Sequence, residues 1–435
     1  MFGKRKTPVP SAATRSEPPI GVGRFETVIV PRSAFEAARA PDQAHRLVQA
    51  LVNFVNTMTG QGLYTRDELL LKATQAFHAD YYLAQVHNGG HGQFIHNSMG
   101  NVDYALADVH AALTAIRTEP YTAIGERLIA DCAARRDPVT RKIDLSRRNP
   151  DVLSALDHEF YAADKVAPFR NVLGRWIATW PELRPVDDAD YPEAMRLSAS
   201  MNPLRELRLQ WKSVSRLRGQ TTDRFQVAVG LACMQIERPE LRQDIGPGVG
   251  VEIEGRNEIA FTVRTNAGKI RFCVVKPDYA YAYEYIPANV PNIPNMYTDP
   301  DVMFAALNDG RLKDVTGPRV GAQLARVSGV LIDDVIALAK EYRAGLAIDL
   351  LLRRARIEPG NAMVVAHAIV PRPEGDLLRW MLVAGNEPCA AVTTPDGAAL
   401  HPGGSTQPLA TIGKRDLDAH ADHIAAGSME AKPLR

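Results

Sequence analysis

The feature that most constrains the fold is a change in hydrophobic periodicity near residue 248. From residue 42 to about 168 the apolar residues follow a helical spacing; Leu47, Leu51, Phe54 and Met58, for example, recur every three or four residues. After residue 248 the segments VGVEIEG, EIAFTVRT and KIRFCVVK are extended and are separated by short turns. Helical spacing returns at about 300–356, and further strands follow. The pattern predicts a multidomain chain, with an all-α N-terminal domain followed by an α+β C-terminal region with antiparallel meanders.

Composition along the chain suggests where the domains begin and end. Residues 1–22 are rich in Pro, Ser and Thr, and we expect a flexible arm there. The segment PELRPVDDADYP at 181–192 has three prolines and four acidic residues, which favour a linker. We therefore predict a helical domain at 23–180, an α+β domain of unknown function at 193–402 and a loosely packed tail at 403–435.

The overall charge narrows the classes of function. The 435 residues include 51 Lys and Arg and 50 Asp and Glu, which gives a net charge of +1. Unless the charges are very unevenly placed, this balance excludes a strongly basic nucleic-acid coat and a strongly acidic mimic. The start of the chain lacks the apolar core of a signal peptide, and no run of some 18 apolar residues could span a membrane. The four cysteines are far apart in the sequence, so we expect buried thiols and a cytoplasmic protein.

The most informative motif is YYLAQVHNGGHGQFIHNSMGN, at residues 81–101. A helix is expected to end at Asn88, Gly89 and Gly90, because Asn and Gly tolerate the left-handed conformation that closes helices. A second short helix would then carry Gln93 and Asn97 on one face. The spacing favours an architectural corner, in which the amides satisfy exposed backbone groups. The alternative is a corner that presents these amides to a ligand.

The same residues resemble a known family. The pattern from Tyr81 to Gly100 is similar to the signature of a bacterial domain of unknown function that forms the C-terminal part of a DNA-mimic protein, and we extend the resemblance over roughly 25–140. His91 stands where the family usually has an aromatic residue, and Met99 where it usually has a small polar one. The resemblance implies an all-helical fold and a binding or architectural motif made of Tyr82, Asn88, Gly89, Gly90, Gln93, Phe94, Asn97 and Gly100; Val86 and Ser98 also match the signature.

The named member of this family mimics DNA, and mimicry requires dense negative charge spaced like phosphates. Residues 45–168 contain 12 Lys and Arg and 14 Asp and Glu, a net charge of only −2. We therefore carry over the fold but not DNA mimicry.

Histidines are concentrated close to the motif. His78, His87, His91, His96 and His110 lie within 33 residues, and histidine is a common metal ligand. The glycines separate His87 from His91, and there is no HExxH motif or nearby cysteine pair. We expect structural or surface histidines, and we predict neither a metal site nor a cofactor.

Two other patterns allow a functional and a structural interpretation. Arg205, Arg208, Lys212 and Arg216 form a basic stripe that could follow a phosphate backbone, although a solvated helix face is favoured. The four tyrosines of DYAYAYEYI would share one strand face, as a stacking platform or as a core layer under a helix, and core packing is favoured.

A pair of carboxylates is the remaining candidate. Glu252 and Glu254 alternate and would share a strand face, where two carboxylates could hold a metal ion or divide acid and base roles. No partner stands at a recognisable catalytic spacing from them.

The leading hypothesis is thus a cytoplasmic bacterial binding protein that acts through protein–protein contacts with a partner of unknown identity. The alternative is a nucleic-acid-acting or metal-dependent enzyme with a site assembled in the C-terminal α+β region. Its residues would be drawn from the glutamate pair, the histidine cluster and the basic stripe, which would converge only in three dimensions. No membrane association is expected.

Overall fold

The computed structural model describes residues 25–40, 42–98, 101–137, 143–144, 150–291, 293–294, 300–313, 315–384 and 387–425. The chain forms two compact units: unit 1 ends at Arg208 and unit 2 begins at Leu209. A helical N-terminal half is followed by a region with two antiparallel sheets, which confirms the predicted fold class. In the described part of the chain, no helix is long and apolar enough to cross a membrane. The predicted arm at 1–22 and the residues after 425 lie outside the described residues.

Unit 1 is mainly helical, and one apolar core runs through it. The stripe of Leu47, Leu51, Phe54 and Met58 is fully buried, as its spacing predicted. The elements are β1 (Val28–Pro31), α1 (Arg32–Ala37), α2 (His45–Gly60), a 3-10 turn (Arg66–Glu68), α3 (Leu71–Asn97), α4 (Val102–Ile116), α5 (Glu119–Ala134), α6 (Pro150–Val166), α7 (Phe169–Ala178), β2 (Leu183–Val186), α8 (Tyr191–Ser200) and the first turn of α9 (Arg205–Thr222).

The predicted linker at 181–192 is instead part of unit 1. Strand β2 pairs in parallel with β1, with Val28 opposite Leu183 and Pro31 opposite Val186. Pro185 is tolerated because both strands of a two-stranded sheet are edge strands, where a missing N–H is not needed for pairing. Helix α8 also belongs to this unit, so the division falls at Arg208 and not in the proline-rich segment.

Unit 2 contains two five-stranded sheets, each a simple antiparallel meander. The first sheet is β3 (Arg242–Ile253), β4 (Arg256–Thr265), β5 (Ile270–Val275), β6 (Tyr279–Ile286) and β7 (Arg319–Ser328). The second sheet is β8 (Met363–Val370), β9 (Leu377–Ala384), β10 (Glu387–Thr394), β11 (Gly397–Pro402) and β12 (Ala410–Gly413). The helices of this unit are the rest of α9, α10 (Arg224–Met234), α11 (Pro300–Asn308), α12 (Gly329–Glu341), α13 (Ala344–Arg354) and α14 (Lys414–Ala425).

The core of unit 2 forms around α10, which packs against both sheets. The first sheet is strongly curled, so that its edge strands β3 and β7 come into contact. Register shifts in the β3–β4 and β6–β7 pairs mark bulges, which bend strands and increase their twist. The curl gives this sheet a concave face that lies opposite the face covered by helices.

The end of unit 2 corrects another expectation. We expected a loosely packed tail after residue 402, but β12 pairs with β11 and α14 packs against α13. Leu417, His420 and Ile424 are the buried residues of α14. The helix was not recognised because its other nine residues are mostly polar or alanine, and three buried positions give a weak apolar stripe.

Candidate functional site

The Asn-Gly-Gly motif forms a kink inside α3. Gly89 (φ −175°, ψ 30°) and Gly90 (φ 75°, ψ −176°) leave the helical conformation, and a short helical segment continues to Asn97. The predicted corner is therefore present. Only Gly90 has the positive φ that disfavours other residues. A Cβ atom there would also lie 2.3 Å from Oδ2 of Asp157, so the position requires glycine.

The carboxylate of Asp157, on α6, holds the kink in place. Its Oδ1 accepts the backbone N–H of His91 at 2.8 Å and lies 2.5 Å from Nδ1 of the same residue. The other ring nitrogen, Nε2, is 2.7 Å from the Tyr82 hydroxyl. Burial acts to raise the pKa of Asp157, but the hydrogen bonds from His91 outweigh it, and the pKa lies below its usual value.

His91 thus has an architectural role. Its side chain is fully buried, and both ring nitrogens are occupied by protein groups, so neither has a lone pair free for a metal ion. Its ring packs near those of Tyr82 and Phe160, which explains how it can replace an aromatic residue. Burial raises the pKa of the Tyr82 phenol far above its ordinary value, so Tyr82 stays neutral.

The amides of the motif lie on the outside of the same kink. The side-chain nitrogens of Gln93 and Asn97 both donate to Oε1 of Gln85, at 3.1 and 2.6 Å. We call Gln85, Gln93 and Asn97 the amide cluster. Asn97 and Asn88 are exposed, and Gln93 is partly exposed. The cluster forms a polar, uncharged surface that spans the two segments of α3.

The predicted motif residues therefore divide into two groups. Tyr82, Gly90 and Phe94 are buried, whereas Asn88, Gly89 and Asn97 are exposed. Gly100 and Met99 lie outside the described residues. Sequence reasoning missed Gln85 and Asp157: helical periodicity is interrupted between Gln85 and Gln93, and nothing in the sequence links residue 157 to residue 90.

A family model described as DMP19-like protein matches residues 67–180. Residues 67–180 form a DMP19-like domain. DMP19 is a DNA-mimic family, so the resemblance drawn from the motif is confirmed, although the match begins and ends later than the expected 25–140. No curated protein and no solved structure matches the chain.

Several carboxylates of the DMP19-like domain are paired with basic side chains. The residues 67–180 contain 12 Lys and Arg and 14 Asp and Glu. The ion pairs include Asp80–Arg170, Asp103–Arg136, Asp108–Arg66, Asp131–Arg135 and Glu159–Arg127. A carboxylate that is neutralised by a neighbouring cation cannot imitate a free phosphate. Of these pairs, Asp80–Arg170 and Glu159–Arg127 connect different helices.

Other histidines of the domain are also engaged by carboxylates. His78 is buried, with Nδ1 2.7 Å from Asp108, and His87 lies 3.2 Å from Asp164. Although burial opposes it, hydrogen bonds from His78 and Arg66 lower the pKa of Asp108. Each of these histidines is paired with a different carboxylate. Within the described ranges, no group of three or more His, Cys, Asp or Glu residues could hold a metal ion.

Two arginines of the basic stripe on α9 are bound by acceptors distant in sequence, whereas Lys212 is exposed. Arg208 is only 2% exposed and donates to both carboxylate oxygens of Glu68 at 2.6 Å. Arg208 also donates to the carbonyl of Leu63, and Arg216 donates to the carbonyl of Pro359. Both interpretations of the stripe were wrong for these two arginines, because long-range acceptors are invisible in the local sequence.

The alternating tyrosines lie on one face of β6, but not under a helix. Ala280 and Ala282 face the helical side and are fully buried, because α10 packs closely against β6 there. Tyr281 and Tyr283 point to the concave face of the first sheet, where their ring centroids are 5.9 Å apart. Tyr283 belongs to a small buried cluster on this face, so the favoured core packing is confirmed there. The expectation that the layer lies under a helix was wrong, since the small residues occupy that side.

The glutamate pair does not form as expected. Strand β3 ends at Ile253, and Glu254 occupies the following turn with φ 51°. Glu252 is exposed on the strand, whereas Glu254 lines a cavity on the concave face. The turn reverses the chain one residue too early for the two carboxylates to share a strand face.

Proposed function

We propose that this protein is a non-catalytic, cytoplasmic bacterial binding protein that contacts a protein partner through the surface of its DMP19-like domain. The observation that carries the proposal is the amide cluster. Its three carboxamides have fixed positions, because Gln85 accepts from both Gln93 and Asn97, and their remaining donors and acceptors are available to a partner.

The chemistry of this surface favours a protein over nucleic acid. Nucleic-acid binding depends on cationic side chains, and DNA mimicry depends on free anionic ones. The amide cluster is uncharged, and many acidic and basic side chains of the domain neutralise one another. Carboxamides donate and accept hydrogen bonds in the same way as peptide groups, so they suit a partner's backbone and polar side chains.

Affinity capture with the full chain tests the proposal. Gln93→Ala combined with Asn97→Ala removes two members of the cluster. Gln49→Ala combined with Asn53→Ala is the matched control, because it removes an exposed glutamine and asparagine with the same spacing on α2. We expect a stoichiometric partner with the wild type and the control, and its loss with the first variant. Equal capture by all three proteins would contradict the proposal, as would strong, salt-dependent binding of DNA or RNA.

A further inference from the structure

The concave face of the first sheet in unit 2 contains a polar cavity of about 280 Å³. This volume is close to the lower end of the roughly 300–1,000 Å³ that small-molecule sites occupy. Five charged side chains line it: Glu254, Arg256, Glu258, Lys276 and Arg326. The rings of Tyr281 and Tyr283 form part of its wall. A small cavity with both signs of charge and aromatic rings suits a small polar ligand rather than an apolar one.

The position of Arg326 points to an oxyanion. This residue lies opposite Tyr281 on the neighbouring strand, and its guanidinium carbon is 3.6 Å from the ring centroid of Tyr279. Stacking on the ring holds the guanidinium while leaving its in-plane N–H groups able to donate. Among the residues that the structure describes, neither Arg326 nor Arg256 has a carboxylate partner, whereas Lys276 lies 2.6 Å from Glu258.

Other groups in the cavity require hydrogen-bond donors on the ligand. Glu254, an exposed residue of the β3–β4 turn, also lines the cavity, and its carboxylate has no cationic partner in the described part of the chain. A carboxylate only accepts hydrogen bonds, and ligand hydroxyl groups would supply them. The adjacent tyrosine rings offer flat apolar surfaces next to these polar groups.

We propose that this cavity binds a phosphomonoester carried by a hydroxylated sugar, either a free sugar phosphate or a mononucleotide. The phosphate has three oxygens and nearly two negative charges at neutral pH, which match the guanidinium groups of Arg326 and Arg256. The sugar hydroxyls donate to Glu254. This site lies within unit 2 and does not depend on the protein contacts proposed for the DMP19-like domain.

Calorimetric titration of the full chain with ribose 5-phosphate and with AMP tests the proposal. We expect Arg326→Gln to weaken binding roughly tenfold to a hundredfold, as for loss of charged hydrogen bonds. Arg319→Gln is the control, because Arg319 is exposed on the same strand and does not line the cavity; it should leave the affinity unchanged. Equal thermal unfolding midpoints would show that both variants are folded. Tighter binding of AMP would indicate a mononucleotide, and equal or weaker binding a sugar phosphate.

A second variant tests the hydroxyl-binding groups. Glu254→Gln should weaken binding of ribose 5-phosphate while leaving any binding of inorganic phosphate undiminished. The proposal is overturned if neither probe binds the wild type at millimolar concentration, if Arg326→Gln binds both probes as the wild type does, or if inorganic phosphate binds as tightly as ribose 5-phosphate.

Discussion

Gly90→Ala is the substitution that most directly tests the account of the kink. The new Cβ would lie 2.3 Å from Oδ2 of Asp157 and 2.8 Å from its Cγ, so the carboxylate must move. The backbone conformation (φ 75°, ψ −176°) is almost restricted to glycine, and alanine there costs about 1–3 kcal/mol. Displacement of the carboxylate also leaves the backbone N–H and Nδ1 of buried His91 without their acceptor, which adds about 1–3 kcal/mol. We expect unit 1 to lose roughly 2–6 kcal/mol of unfolding free energy.

Gly89→Ala provides a neighbouring control. The backbone of Gly89 is extended, with φ −175°, and the nearest neighbour of its new Cβ would be Oε1 at the end of the flexible Gln93 side chain. This variant should be much less destabilised. Urea unfolding followed by tryptophan fluorescence measures this loss. Two of the four tryptophans, Trp176 and Trp180, lie in unit 1. With Trp211 and Trp380 replaced by Phe, the fluorescence signal therefore reports on unit 1 alone.

A double-mutant cycle separates the two contributions. In an Asp157→Ala background the carboxylate is absent, so Gly90→Ala should lower the unfolding free energy only by the cost of the strained backbone. The losses of unfolding free energy caused by the two substitutions should therefore be less than additive. Equal losses for Gly89→Ala and Gly90→Ala would refute the reasoning. Full additivity in the cycle would show that Asp157 does not fill the space beside Gly90.

Three further predictions concern buried polar groups. Glu68→Gln leaves Arg208 buried without its charge partner and should destabilise unit 1 by about 3–5 kcal/mol, measured by urea unfolding; a loss below about 1 kcal/mol would contradict this. Burial opposes ionisation of Asp349, but hydrogen bonds from His420, Arg353 and Ser213 lower the pKa of its carboxyl group. The stability that this carboxylate contributes is present above its unfolded-state pKa of about 3.9, and it is lost as the pH falls through the lower pKa of the folded state. The thermal unfolding midpoint of unit 2 should therefore fall less steeply between pH 6 and pH 2 in Asp349→Asn than in the wild type. Identical slopes would contradict this role of Asp349. Burial raises the pKa of the Cys132 thiol to about 11, and all four cysteines are buried, so a disulfide reagent at pH 8 should modify them only after unfolding.

Local patterns predicted the secondary structure where each element carried its own signal. The α2 stripe and the Asn-Gly-Gly corner were recognised because helical spacing and glycine act over a few residues. Strand β2 and helix α14 were missed, because proline in an edge strand and a weak apolar stripe both look like loop sequence. Their pairing partners, at Val28 and in α13, supply the stability that the local sequence lacks.

The candidate sites were harder to predict, because they depend on residues distant in sequence. Arg208 and Glu68 are 140 residues apart, and the sequence gives no sign that one neutralises the other. Asp157 likewise enters the kink from a different helix. The cavity on the concave face depends on how far the first sheet curls, which follows from bulges that the strand pattern does not reveal.

The buried pair of Arg208 and Glu68 has a practical consequence for work on proteins with this domain. The family model begins at residue 67 and ends at residue 180. The apolar core of this domain, however, includes α2, which comes before residue 67. Glu68, inside the matched span, pairs with Arg208, which lies 28 residues beyond its end. A fragment cut at the family limits would expose the apolar face that α2 covers and would lack the arginine that pairs with Glu68. The span that the family model matches is therefore smaller than unit 1, and we expect a fragment from residue 25 through Arg208 to be more stable than one cut at residues 67 and 180.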